Sequence, residues 1–108
     1  MPHRQPDNDA QIRDGLKNLS KLLGHRTRLG ICVLLARNDA LSFSRLKELV
    51  EETDGNLGAQ LHRLEEEGFL SVRKEFRDRK PVTWYALTAH GRRGLAEHVR
   101  ALGRLLEE

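Results

Sequence analysis

The stretch from Phe43 to Thr88, FSRLKELVEETDGNLGAQLHRLEEEGFLSVRKEFRDRKPVTWYALT, limits the folds open to this chain more than any other part of it. Two helical patterns separated by a short polar turn lead to Gly68. Two runs that alternate with period two follow, joined by a charged turn. The order is helix, turn, helix, strand, hairpin, strand. In the second helical pattern Leu57, Leu61 and Leu64 fall on one side and must face a core. Ala59, His62, Arg63 and Glu66 then point the opposite way, with Asn56 and Gly58 on the flanks and Gln60 nearer the buried side.

The flanking segments supply the rest of a small, mainly helical domain. Residues 1–9 are polar, carry Pro2 and Pro6, and read as a disordered arm. From residue 10 to 23, Ile12, Leu16, Leu19 and Leu23 recur at helical spacing, and Gly24 ends the pattern. Arg26 to Arg37 is apolar nearly all round, which predicts the central buried helix. Leu41 is a candidate short strand. Ser42, with Ser44 as the alternative, is a cap for a helix that runs to about Glu52 and buries Phe43, Leu46, Leu49 and Val50. Thr53 or Asp54 caps the next helix and Gly68 closes it. After the hairpin, Thr88 caps a last helix over residues 88–107, with Leu95, Val99, Leu102, Leu105 and Leu106 as its apolar stripe. Within one chain only the first helix is left to cover that stripe, so a second copy is the natural complement and a homodimer is expected.

Charge distribution is more informative than its total. The chain of 108 residues has a net charge of +3, which many inert proteins share. Between Gly68 and Tyr85, however, five basic residues (Arg73, Lys74, Arg77, Arg79 and Lys80) stand against two acidic ones, Glu75 and Asp78. That hairpin carries as much net charge as the whole molecule. The helix before it ends on Glu65, Glu66 and Glu67. A helix-turn-helix presents its second helix to a DNA major groove, and a basic loop beside it reaches the backbone or the minor groove. Asn56, Gln60, His62 and Arg63 are therefore the candidate base readers, since Asn and Gln pair with adenine edges and Arg with guanine. Arg77, Arg79 and Lys80 are the candidate phosphate contacts. Ser44 and Arg45 open the first helix of the motif beside its N-terminal amides, where a phosphate can bind. Arg28 reads equally as a backbone contact or a structural pair.

Other chemistry is absent from the pattern. Cys32 is the single cysteine, so no intrachain disulfide forms and a cytoplasmic location is expected. Its apolar neighbours Ile31 and Val33 make it a small core hydrophobe. The histidines lack ligand spacing, so no metal or other cofactor is expected, and they read as solvated or capping residues. Trp84 reads as a strand residue packed on the core. No nucleophile with a placed base, phosphate loop or buried carboxylate pair suggests an enzyme, and no apolar run is long enough for a membrane.

The segment from Leu22 to about Leu95 resembles the small stand-alone winged-helix regulators related to the MarR and ArsR repressors. The likeness lies in RLGICVLLAR, in FSRLKELVEETDGNLGAQLHRLEEEGFL, and in KEFRDRKPVTWYALTAHGR. It implies a winged helix-turn-helix over residues 10–108, mainly α with a small β-wing, dimerised through the terminal helices at 10–23 and 88–107. It also implies binding to double-stranded DNA as a transcriptional regulator. Relatives often carry Ser, a basic residue and His where this chain has Gly58, Ala59 and Gln60, so a hydroxyl and a positive charge are missing from the reading helix. The alternative is a protein-interaction module or small-molecule sensor on the same fold without tight DNA binding. No particular effector is specified.

Overall fold

The computed structural model describes residues 6–107. The elements are α1 (Pro6–Leu16), α2 (Arg26–Ala36), β1 (Leu41–Ser42), α3 (Phe43–Val50), α4 (Asp54–Glu66), β2 (Leu70–Arg77), β3 (Lys80–Leu87) and α5 (Ala89–Leu105). Of the stretch expected as a disordered arm, residues 1–5 lie outside the described residues, whereas Pro6–Asp9 is already helical. Proline suits a first helical position, because the N–H it lacks would find no partner there and its φ is preset.

The expected helix at 10–23 is corrected at its other end. α1 stops at Leu16 and tightens through i→i+3 bonds from Lys17, Asn18 and Leu19 to Asp14, Gly15 and Leu16 (3.1, 3.0 and 3.2 Å). The Ser20 N–H then donates to His98 Nδ1 of α5 at 3.0 Å, and Ser20 Oγ accepts the Leu23 N–H at 3.1 Å. This turn drops Leu23 into the molecule's own core, where it is 1% exposed, so Leu23 is not part of an intermolecular stripe.

The core gathers Ile31, Cys32 and Leu35 of α2, Leu46 of α3, Leu57, Leu61 and Leu64 of α4, and Leu95 of α5. Leu49, expected inside, is exposed; α3 turns it outward while Phe43 and Val50 pack on the core edge. Three caps fall where the sequence places them. Ser42 Oγ accepts the Arg45 N–H, Thr53 Oγ1 the Asn56 N–H, and Thr88 Oγ1 the Gly91 N–H. Gly68, at φ +76°, ends α4 in the left-handed conformation that glycine adopts without cost.

The sheet has the order β1-β3-β2, all antiparallel, with Val72 opposite Tyr85 and Arg77 opposite Lys80. Its inner face carries Leu41, Leu70, Tyr85 and Leu87 against the helices. Beyond the core, β2 and β3 continue as a free hairpin. α5 begins against Phe69, and a Cβ on Gly91 would collide with the Phe69 carbonyl and come within 2.9 Å of Leu87 Cδ1. The last helix can therefore lie on the sheet only because residue 91 has no side chain.

The apolar stripe expected on α5 divides between two faces. Leu95 belongs to the core and Leu105 is half-buried beside Gly15 of α1, whereas Val99, Leu102 and Leu106 are exposed. The inward face is completed instead by Gly91, His98 and Ala101. His98, expected to be a solvated or capping residue, is 4% exposed and accepts the Ser20 N–H. No helix among the described residues is long and apolar enough to cross a membrane.

Candidate nucleic-acid interface

α3 and α4 are held as one unit by contacts around the turn between them. Lys47 Nζ lies 2.8 Å from Asp54 Oδ1, tying the end of α3 to the first residue of α4. Thr27 Oγ1 of α2 donates to Glu52 Oε1 at 2.9 Å, so the turn itself is anchored to the central helix. Glu51, at φ 54°, supplies the left-handed reversal. With Leu57, Leu61 and Leu64 buried, α4 presents Asn56, Ala59, His62 and Arg63 to solvent.

The exposed side of α4 is sparsely furnished. Gly55 and Gly58 have nothing within 4 Å of where a Cβ would stand. His62 Nε2 lies 3.6 Å from Glu66 Oε1, and Arg63 Nη2 3.6 Å from Glu67 Oε1, all on exposed side chains. Such solvent-exposed pairs contribute little and can be exchanged for another anion.

Gln60 has a structural partner. The Arg28 guanidinium donates through Nε to the Leu22 carbonyl and through Nη1 to Gln60 Oε1, both at 2.7 Å. Gln60 therefore lies half-buried against α2 and ties α4 to the loop before it. This also decides the role of Arg28, which is an internal clamp. Ser44 is exposed at the opening of α3, while Arg45 Nη1 pairs with Glu48 Oε2 at 2.8 Å along the helix.

The hairpin has two different faces. On one, Trp84 donates its indole N–H to Glu75 Oε1 at 2.8 Å, and Arg77 stacks over its ring at 5.3 Å. Arg73 and Arg77 each approach the Glu75 carboxylate at 3.6 Å. Trp84 thus faces away from the core, correcting the expectation that it packs there. It serves as a plate that stiffens the hairpin and holds Arg77. The other face carries Lys74, Phe76, Pro81 and Thr83. Among the described residues Lys74, Arg79 and Lys80 have no ion-pair partner.

The turn that joins the strands places both Asp78 (φ 48°) and Arg79 (φ 67°) in the left-handed region. Hairpin turns of this hand favour Asn-Gly or Asp-Gly. Arginine at the second position costs about 1–2 kcal/mol relative to an unstrained backbone, a cost glycine would avoid. The turn places the Arg79 side chain at the tip of the hairpin.

Comparison with known proteins agrees with this geometry. Residues 27–106 match the family model described as a winged helix DNA-binding domain, and the chain belongs to that family. A search of curated proteins found no match. Among solved structures, the chain is similar to a transcriptional regulator homologue from Pyrococcus horikoshii (TM-score 0.76, 26% identity, covering 93% of this chain and 94% of that one). It also resembles the transcriptional regulator BldR from Sulfolobus solfataricus (TM-score 0.66, 22% identity, 93% and 71% covered). A third likeness is to a MarR family transcriptional regulator from Streptomyces coelicolor solved in complex with DNA (TM-score 0.64, 22% identity, 93% and 70% covered). The fold is the winged helix of the MarR-like regulators.

Proposed function

We propose that this protein is a homodimeric transcriptional regulator that binds double-stranded DNA, with α4 in the major groove and the β2–β3 wing on the flanking backbone or minor groove. The observation that carries the reading is the wing tip, where Arg79 is kept in a strained backbone and Lys80, beside it, has no ion-pair partner among the described residues. Arg79 sits in the hairpin turn and Lys80 opens β3 opposite Arg77, so both side chains stand at the tip of the wing, and a polyanion is the partner such a tip suits. Asn56, His62 and Arg63 are the base readers of this proposal, and Gly58 and Ala59 the floor on which the groove edge rests. Gln60 is assigned to the Arg28 clamp rather than to a base. Arg45 and Ser44 contact the backbone, and Arg77 grips a phosphate from its seat on Trp84.

The dimer half of the proposal rests on the terminal helices. Ile12 and Leu16 of α1 and Val99, Leu102 and Leu106 beyond the core of α5 remain exposed in the single chain. Leu19 and Leu105 stand half-buried at the edge of the same surface. The molecule measures 67 × 26 × 21 Å, with a radius of gyration of 17.4 Å. A compact domain of this length has about 13 Å. A second copy laid along these helices buries the apolar side chains and pairs two α4 helices for a two-fold site. The acidic end of α4 at Glu65, Glu66 and Glu67 favours the competing reading of a protein-interaction module. Selection of bound sequences from random duplex DNA at moderate salt distinguishes them: a regulator enriches a palindrome, and an interaction module enriches nothing.

A further inference from the structure

We infer that Phe76 is the wing's apolar contact with DNA, packing its ring on the deoxyribose walls of the minor groove while Arg79 and Lys80 hold the phosphates on either side. The role of Phe76 rests on the DNA-binding reading above. Three features of the hairpin lead to it. Phe76 is 77% exposed, although the same face of β2 begins with Leu70 at 4%. Strand alternation and the pairing of Phe76 with Pro81 place it on the helix side of the sheet, beyond the last core residue and on the side from which α4 packs. The hairpin's other aromatic, Trp84, is satisfied within the chain by Glu75 and Arg77, whereas Phe76 has no ring partner among the described residues.

An uncovered phenylalanine in a hairpin forfeits burial energy and invites edge-to-edge association, and a partner from outside the fold would recover that burial. The charge around it selects the class of partner. Lys74 precedes it on the same face, and Arg77, Arg79 and Lys80 follow within four residues. An apolar protein surface has no use for that density of cations. A duplex offers sugar faces flanked by two rows of phosphate, which matches one ring between basic side chains. Minor-groove binders use apolar side chains in this way.

The test compares three forms of the full chain on one duplex across a salt series. Phe76→Ala should weaken binding about tenfold at every salt concentration, because it removes apolar contact and no charge. Phe76→Leu should recover most of the loss. The Arg79→Ala, Lys80→Ala double variant should instead flatten the salt slope by about one to two units. If Phe76→Ala binds within about twofold of the parent while the double variant loses slope, the Phe76 contact is wrong and the DNA reading stands. If the parent binds no duplex, both fall. Sedimentation of Phe76→Ala should give the parent mass; a change in mass would assign Phe76 to the contact between copies and overturn the inference.

Discussion

Cys32 shows how burial decides the chemistry of a single residue. It is fully buried, and desolvation pushes its thiol up from an ordinary 9.0 to about 12. Tyr85 is raised in the same direction, first by burial and then by the charge on Glu65. Both groups favour their neutral forms in the folded state, so their contribution to stability is complete below the unfolded-state values and is lost as pH rises through the folded ones. Thermal midpoints should hold up to about pH 9 and fall toward pH 12, and a thiol reagent at neutral pH should label Cys32 only after denaturant is added. Rapid labelling of the native chain would mean the core is open. The core role of this cysteine was legible from Ile31 and Val33 beside it. The roles of His98 and Gln60 were not, because their partners are set by tertiary contact: Ser20 is 78 residues from His98, and Arg28 is 32 from Gln60. Trp84 finds Glu75 within its own hairpin, but alternation alone does not say which face of a strand meets the core.

Among the elements, those bounded by caps and alternation were readable, and those ended by a tertiary contact were not. Ser42, Thr53 and Thr88 each cap the helix the sequence assigns them, and the hairpin turns at Asp78 and Arg79 within the polar run. α1 instead stops at Leu16 in the middle of an unbroken apolar repeat, since Ser20 is held by His98 on a distant helix. Glycines test the element-scale account with opposite signs. Gly91→Ala should destabilise the fold by about 1–3 kcal/mol, because its methyl meets the Phe69 backbone, which cannot move aside. Gly55→Ala and Gly58→Ala should each stabilise it by roughly 0.5–1 kcal/mol, since α4 gains helix propensity into open space. Urea unfolding of the three variants checks both signs. A neutral Gly91→Ala would contradict the close seat of α5 on the sheet.

For the whole molecule, the winged-helix order was legible because every element of the motif is local, whereas the division of the α5 stripe into core and surface needed the fold. The exposed part of that stripe belongs to the dimer proposal. Leu102→Asp places a charge at the proposed seam, where an unpaired carboxylate cannot be buried cheaply. The parent should sediment at twice the chain mass at micromolar concentration and the variant at the chain mass, with the helical content of both unchanged. A monomeric parent would remove the two-fold arrangement and with it the expectation of a palindromic site. The claim on which the rest depends is that α4 reads base pairs. It is tested most directly by Arg63→Ala, with affinity measured on the selected duplex and on random duplex at one salt concentration. The expected result is a loss of about 1–3 kcal/mol on the selected site, spread symmetrically over its two halves, with binding to random DNA little changed. Equal loss on both duplexes would make Arg63 a backbone contact, and no loss on either would contradict the placement of α4 in the groove.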